Sequence, residues 1–253
     1  MSDDMKPSTM IHPDGPNCKN CGHVVVAKYC GQCGQSHQTG KLSVAHILRE
    51  IPHAIFHLER GMIPTLYGLA LRPGVTINSY LNGRRKSTSN PLTLLLIMAG
   101  VYAIANSIVD AQSAAASDGR SAGATWRLFS EYLLLMLAVQ LPLTALTTRL
   151  LFRNNGRLYG EHLVIHTFIF AFTCVIGTVL VLMEAALHSG YYTAAFYLSN
   201  GGYQILAMYA TFAPRARNRG VPLLKSVLAF LAYSALNTAT VWGVAKAYEV
   251  LKA

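Results

Sequence analysis

The sequence predicts a mainly α, polytopic helical membrane protein of about five spans with a small cysteine-built module at its amino-terminal end, and three observations carry that reading. Of 253 residues, 52% are hydrophobic and only 13% charged, where an ordinary soluble domain carries about a quarter. Much of the chain falls in uncharged stretches long enough to cross a hydrocarbon core of roughly 30 Å. Lys and Arg outnumber Asp and Glu by 21 to 11, and these cations lie in bands between the apolar stretches. Three segments follow from this: 1–40 is a polar tail and the cysteine module, 41–86 an amphipathic and interfacial helical segment, and 87–253 a transmembrane bundle.

Residues 1–17, MSDDMKPSTMIHPDGPN, have neither the basic n-region nor the apolar h-region of a signal peptide, so none is expected ahead of the cysteines. Cys18 and Cys21 form one Cys-x-x-Cys pair, Cys30 and Cys33 another, with the eight residues GHVVVAKY between them. Tetrahedral Zn2+ takes four thiolates in two such pairs, each on a tight turn whose backbone N–H groups point at sulfur. Gly22 and Gly34 follow the second cysteine of each pair, where positive φ is called for. The β-branched run VVV predicts one short strand and return, which makes the unit a minimal zinc ribbon, with Lys19 and Lys28 offsetting the negative charge of the centre. A module this small has no core, so the metal supplies its folding energy. Rubredoxin-like iron and a redox dithiol are the competing readings. Few basic residues and a single aromatic, Tyr29, argue against nucleic acid as a partner. The fifth cysteine, Cys174, sits mid-span among apolar neighbours and reads as an inert small hydrophobe.

After the linker QSHQTGK, the stretch SVAHILREIPHAIFHLER spaces Val44, Ile47, Leu48, Ile51, Ile55 and Leu58 as the stripe of an amphipathic helix on the membrane surface. Pro52 interrupts it, and Gly61 with Pro64 end it. The following MIPTLYGLALRPG is too short to span and reads as interfacial or re-entrant.

Five uncharged stretches then predict five spans: Ser87 to Val109, opened by the N-cap Asn90 and by Pro91, then Tyr132 to Thr148, His162 to Met183, Ala185 to Pro214, and Ser226 to Ala245. Arg84, Arg85 and Lys86 precede the first, Arg149, Arg153 and Arg157 join the second to the third, and Arg215, Arg217, Arg219 and Lys225 join the fourth to the fifth. The opposite loops hold Arg120 and Arg127 or nothing, and Lys246 and Lys252 lie in the tail. The positive-inside rule therefore puts the amino terminus in the cytoplasm and the carboxyl terminus outside. Seventeen of the 21 cations then face the cytoplasm, which accounts for the basic balance without nucleic acid and keeps the thiolates in a reducing compartment.

Further chemistry is sparse. His53 with His57, and His162 with His166, are His-x-x-x-His pairs that share a helix face; together with Glu161 they form a second candidate metal or functional site. Hydrogen bonding or snorkelling at the interface is the plainer reading of the same residues. Gln140, Thr144, Asn200, Gln204 and Asn237 fall near span centres, with Pro142 and Gly201-Gly202 as candidate helix interruptions. They read either as a membrane pathway or as ordinary interhelical hydrogen bonding. Glu131 and Glu184 fall toward span ends, so no charged residue marks a proton pathway at the midplane. The Arg84, Arg85, Lys86 cluster fits lipid headgroups. No P-loop, nucleophile elbow or dinucleotide fingerprint occurs in the chain.

Tyr29 to Gln35 in the form Tyr-Cys-x-x-Cys-Gly-Gln, Arg72-Pro73-Gly74, Tyr80-Leu81-x-Gly83-x-Arg85, Asn90-Pro91 and Glu161-His162-Leu163-Val164 together resemble a bacterial membrane family, the domain of unknown function 3667. The resemblance runs from about Cys18 to His166, with Thr88 standing where that family's pattern has an aromatic. It implies an architecture and no reaction. The expected role is non-enzymatic: an adaptor, assembly or regulatory factor of the bacterial inner membrane, in contact with membrane lipids and with a cytosolic or membrane protein partner. A transporter or lipid-handling protein built on the midplane amides is the alternative. A metal-dependent enzyme built on His53, His57, Glu161, His162 and His166 is another.

Overall fold

A computed structural model describes residues 16–36, 61–116, 133–187 and 192–252. The described chain is helical beyond the cysteine module: α1 Met62–Leu71, α2 Pro73–Leu81, α3 Pro91–Ala116, α4 Leu133–Leu151, α5 Tyr159–Leu187, α6 Tyr192–Phe212 and α7 Gly220–Lys252, with 3-10 turns at Arg153–Asn155 and Ala213–Arg215. The surface-helix stripe with His53 and His57, and the loop carrying Arg120, Arg127 and Glu131, lie outside the described residues.

Local chemistry sets several boundaries. Asn90 caps α3: its Oδ1 accepts the Leu92 and Thr93 N–H groups at 2.9 and 3.4 Å, and Pro91 takes the first helical position, where a missing N–H costs nothing. Pro73 starts α2 directly after Arg72 caps α1. Gly83, at φ 105, turns the chain out of α2, a conformation open mainly to glycine. The amphipathic helix that Gly61 and Pro64 are expected to end lies outside the described residues. Gly61 is the N-cap of α1 and Pro64 lies in its first turn, where proline is tolerated.

Helix α5 is the centre of the bundle. It packs against α1, α3, α4 and α6, while α7 closes over α4 and α6 and α2 lies on α6. Phe168, Ile165, Ile169 and Phe170 of α5 are fully buried with Leu69, Ile77, Leu94 and Phe212. In lipid such a core is held by dispersion and close fit, since the tails outside are equally apolar. Glycines supply part of the fit. A Cβ on Gly74 would strike the backbone carbonyl of Ala210 in α6, and one on Gly177 would lie 2.7 Å from the Tyr102 ring.

Among the described residues, three helices are long and apolar enough to cross a membrane by length and composition alone: Pro91–Val109, Tyr159–Leu187 and Gly220–Gly243. Helices α4 and α6 coincide with two further uncharged stretches, but α4 contributes only the shorter apolar helix Met136–Leu151, and α6 is diluted by Ser199, Asn200 and Gln204. The MIPTLYGLALRPG stretch belongs to two short helices folded onto α5 and α6. Pro142 and Gly201-Gly202 interrupt nothing: α4 and α6 run continuously through them.

Candidate metal centre and its seat on the bundle

The cysteine module is two copies of one turn. In the first, Gly22 donates its N–H to the Cys18 carbonyl at 2.8 Å and Cys18 donates to the His23 carbonyl at 2.8 Å; in the second, Gly34 donates to Cys30 at 2.8 Å and Cys30 to Gln35 at 2.9 Å. Gly22 and Gly34 have φ of 80 and 70, which fulfils the expectation from their positions. The strand expected from VVV is absent from the described residues. Isolated bridges, Asn17 to Val24 and Tyr29 to Ser36, close each turn separately. The reason is local, since each turn satisfies its own backbone groups and leaves no ladder for the connecting segment to extend.

These turns bring all four sulfurs within 4.8 Å of one another. Cys18 Sγ lies 3.6 Å from Cys33 Sγ, and Cys21 Sγ lies 3.6 Å from Cys30 Sγ. A tetrahedral ion with metal–sulfur bonds of about 2.3 Å requires edges of about 3.8 Å, whereas disulfides require about 2.05 Å. The thiols are free, and the donor set fits a four-thiolate metal site. The electrostatics agree. N–H groups of Cys21 and Asn20 directed at sulfur lower the Cys18 thiol to about 6, and the Cys33 N–H lowers Cys30. Cys21 goes the other way: against the lowering by the His23 N–H, burial and the neighbouring sulfurs raise it to about 12. A cation between the sulfurs would relieve the mutual repulsion that helps keep Cys21 protonated. Val25 is buried beside Cys18 and Cys30 and makes up the rest of a very small interior.

The module is seated on the bundle by side chains adjoining the cysteines. Gln35, 5% exposed, donates its Nε2–H to the Gly83 carbonyl at 2.9 Å, and its Oε1 accepts the Arg85 and Lys86 N–H groups at 3.1 Å each. Asn20 Oδ1 accepts the Ser87 N–H at 3.2 Å and the Ser87 hydroxyl at 2.9 Å. The loop between α2 and α3 is therefore clasped by both turns. A single Gln or Asn beside the cysteines carries no periodic signal; the Tyr-Cys-x-x-Cys-Gly-Gln motif contains Gln35 but gives it no role.

The basic turns gather at this end of the bundle. Arg157 is buried and donates from one terminal nitrogen to Asn78 Oδ1 of α2, while Asn78 donates to the Thr211 carbonyl of α6 at 3.1 Å. Burial first, and then the neighbouring Arg215, lower Arg157 to about 10, so it remains a cation at neutral pH. Its guanidinium lies 5.3 Å from the centre of the Phe212 ring, and Lys225 lies 5.5 Å from that of Phe152; the two rings stack at 4.0 Å. Among the loop cations, Arg84 and Lys86 are exposed, and Arg85 lies over Tyr80 at 5.8 Å.

The remaining candidates are placed as follows. His162 and His166 are buried and share the Thr148 hydroxyl of α4, which is 3.1 Å from His162 Nδ1 and 3.1 Å from His166 Nε2. Glu161 turns away and accepts the Leu158 N–H at 2.9 Å, as an acidic cap on α5. Among the described residues the four cysteines are the one group of three or more His, Cys, Asp or Glu placed to hold an ion. Gln140 Nε2 donates to Asn237 Oδ1 at 2.6 Å, joining α4 to α7. Asn200 donates to its own helix at the Phe196 carbonyl at 3.0 Å, and its Oδ1 is buried without a partner. Gln204 is buried and hydrogen-bonds Tyr233. Cys174 lies in an apolar cluster with Ala99, Tyr102 and Val181.

A family model described as a protein of unknown function (DUF3667) matches residues 59–103. The match covers α1, α2, the clasped loop and the first half of α3, and leaves the cysteine module outside it. No curated protein and no solved structure matches the chain.

Proposed function

We propose that this chain is an integral protein of a bacterial inner membrane whose cytoplasmic head holds one structural zinc ion and serves as an adaptor, assembly or regulatory platform, without catalysis of its own. The observation that carries this reading is the four-thiolate cluster seated on the basic end of an apolar bundle. Soft thiolates in a tetrahedral set suit zinc, which brings no redox chemistry and stabilises a head that has almost no apolar interior. The reading takes five spans, with the basic loops cytoplasmic, the amino terminus inside and the carboxyl terminus outside. Gathering of Arg157, Arg215 and Lys225 near the loop that holds Arg84 to Lys86 supports a single cytoplasmic face in contact with lipid headgroups. With its Asn20 and Gln35 side turned to the bundle, the head leaves Val26 and Tyr29 exposed at 65% and 56%, which is the surface we assign to a protein partner.

The test is metal content together with site-directed crosslinking. Purified full-length protein should carry about one zinc per chain, and Cys30→Ser should lose it. A photoreactive residue at Tyr29 should give a discrete protein adduct in cells, while one at Ile104 should give lipid adducts. Iron in place of zinc would refute the metal assignment, and a Tyr29 probe that captures nothing would remove the adaptor role.

A further inference from the structure

We infer that metal occupancy of the cysteine cluster controls the conformation of the basic loop between α2 and α3, through Gln35 and Asn20. The inference rests on the reading of the cysteines as metal ligands and adds to it a consequence in the membrane domain. The geometry is direct. Gln35 stands two residues beyond Cys33, and its own carbonyl accepts the Cys30 N–H at 2.9 Å, so the turn that presents sulfur also fixes where the Gln35 side chain points. Asn20 lies between Cys18 and Cys21, inside the other turn. Their side chains take the N–H groups of three consecutive loop residues, Arg85, Lys86 and Ser87, and the carbonyl of Gly83.

Among the described residues, the head has little besides its turn hydrogen bonds to hold that shape. Its interior consists of Cys18, Val25 and Cys30 with Cys33 packed against them, far below what a metal-free module of this size needs. Without the ion, the four sulfurs have no reason to stay within 4.8 Å, both turns open, and the clasp on the loop goes with them. The loop then keeps its anchors outside the head: Gly83 N–H on the Tyr80 carbonyl at 3.0 Å, Arg84 N–H on Ser79 at 3.0 Å, Arg85 N–H on the Gly83 carbonyl at 3.0 Å, the Thr88 hydroxyl on the Arg84 carbonyl at 3.1 Å, and Ser89 N–H on Thr65 Oγ1 at 2.9 Å. Lys86 and Ser87, between those anchors, are the residues released. The device thus reports metal status at the point where α3 begins and where the exposed cations Arg84 and Lys86 stand.

Amide hydrogen exchange on the full-length protein in lipid nanodiscs tests this, because the donors concerned are the exchanging groups themselves. In the metal-loaded protein the Lys86 and Ser87 amides should be protected, and after chelation they should exchange at least about tenfold faster, while α5 amides are unchanged. Gln35→Ala should keep its metal and still lose the protection at Lys86. Protection that survives chelation, or survives at Lys86 in Gln35→Ala, overturns the coupling while leaving the metal site intact. Loss of metal from Gln35→Ala overturns it too, since Gln35 would then belong to the site and not act downstream of it. A preparation that never contained metal, whose loop is nonetheless protected, defeats the inference and the metal reading together.

Discussion

Replacing Thr148 by valine separates a structural from a metal-binding role for the buried histidine pair. The hydroxyl lies 3.1 Å from His162 Nδ1, from His166 Nε2, and from the carbonyls of Thr144 and Ala145 in its own helix. It has one proton and two lone pairs, so at least one imidazole donates to it, and both do when the hydroxyl proton goes to a carbonyl. Valine has nearly the same shape and takes away both options. The helix carbonyls keep their backbone partners, while two buried ring nitrogens lose theirs, at about 1–3 kcal/mol each. A loss of about 2–6 kcal/mol follows, which for a chain of this size lowers the melting temperature by about 4–24 °C. Thr148→Ser, which keeps the hydroxyl, should recover most of it. The assay is thermal unfolding of detergent-solubilised protein, with metal content measured on the same samples. A Thr148→Val protein that melts with the wild type would refute the argument. So would a second metal equivalent that disappears in His162→Gln, because the rings would then owe their placement to an ion.

Further outcomes follow from the same geometry. Gly74→Ala should destabilise by about 1–3 kcal/mol, as overpacking does, because the clash is with the Ala210 backbone and α2 must move off α6. Gly202→Ala, with nothing within 4 Å of the new Cβ, should be neutral or stabilising by up to about 1 kcal/mol; melting curves that rank the two in the opposite order would contradict the packing. A double-mutant cycle on Gln140→Leu and Asn237→Leu should return a coupling of about 0.6 kcal/mol, and zero coupling would show that the 2.6 Å contact has no energetic weight. Protons and metal compete for the same sulfurs, so metal retention should weaken as pH falls. With the turns open before the ion arrives, thiols near the ordinary value of about 8.5 make binding at about pH 7.5 release nearly all of the ligand protons. Release of about one proton fewer, measured by calorimetry in buffers of different ionisation enthalpy, would show that the turns stay closed without metal and hold the Cys18 thiol at about 6.

What the sequence determined by itself is what depends on near neighbours. The Cys-x-x-Cys pairs with Gly22 and Gly34 specified both turns, Asn90-Pro91 specified the start of α3, and uncharged runs located the long helices, because spacing, caps and side-chain transfer energies act within a few residues. Where neighbouring signals conflicted, the sequence misled: VVV has strand propensity but no partner to pair with, and Pro142 and Gly201-Gly202 are breakers that the surrounding helix overrides. Only the tertiary structure decided that Gln35 reaches Gly83, that two histidines on α5 converge on Thr148 of α4, and that Gly74 must be glycine because Ala210 stands against it. Each of those facts joins positions far apart in the chain through a polar or steric contact of a single side chain, and such contacts leave no periodicity behind. They exist only once the helices have packed and the remaining buried donors and acceptors must find one another.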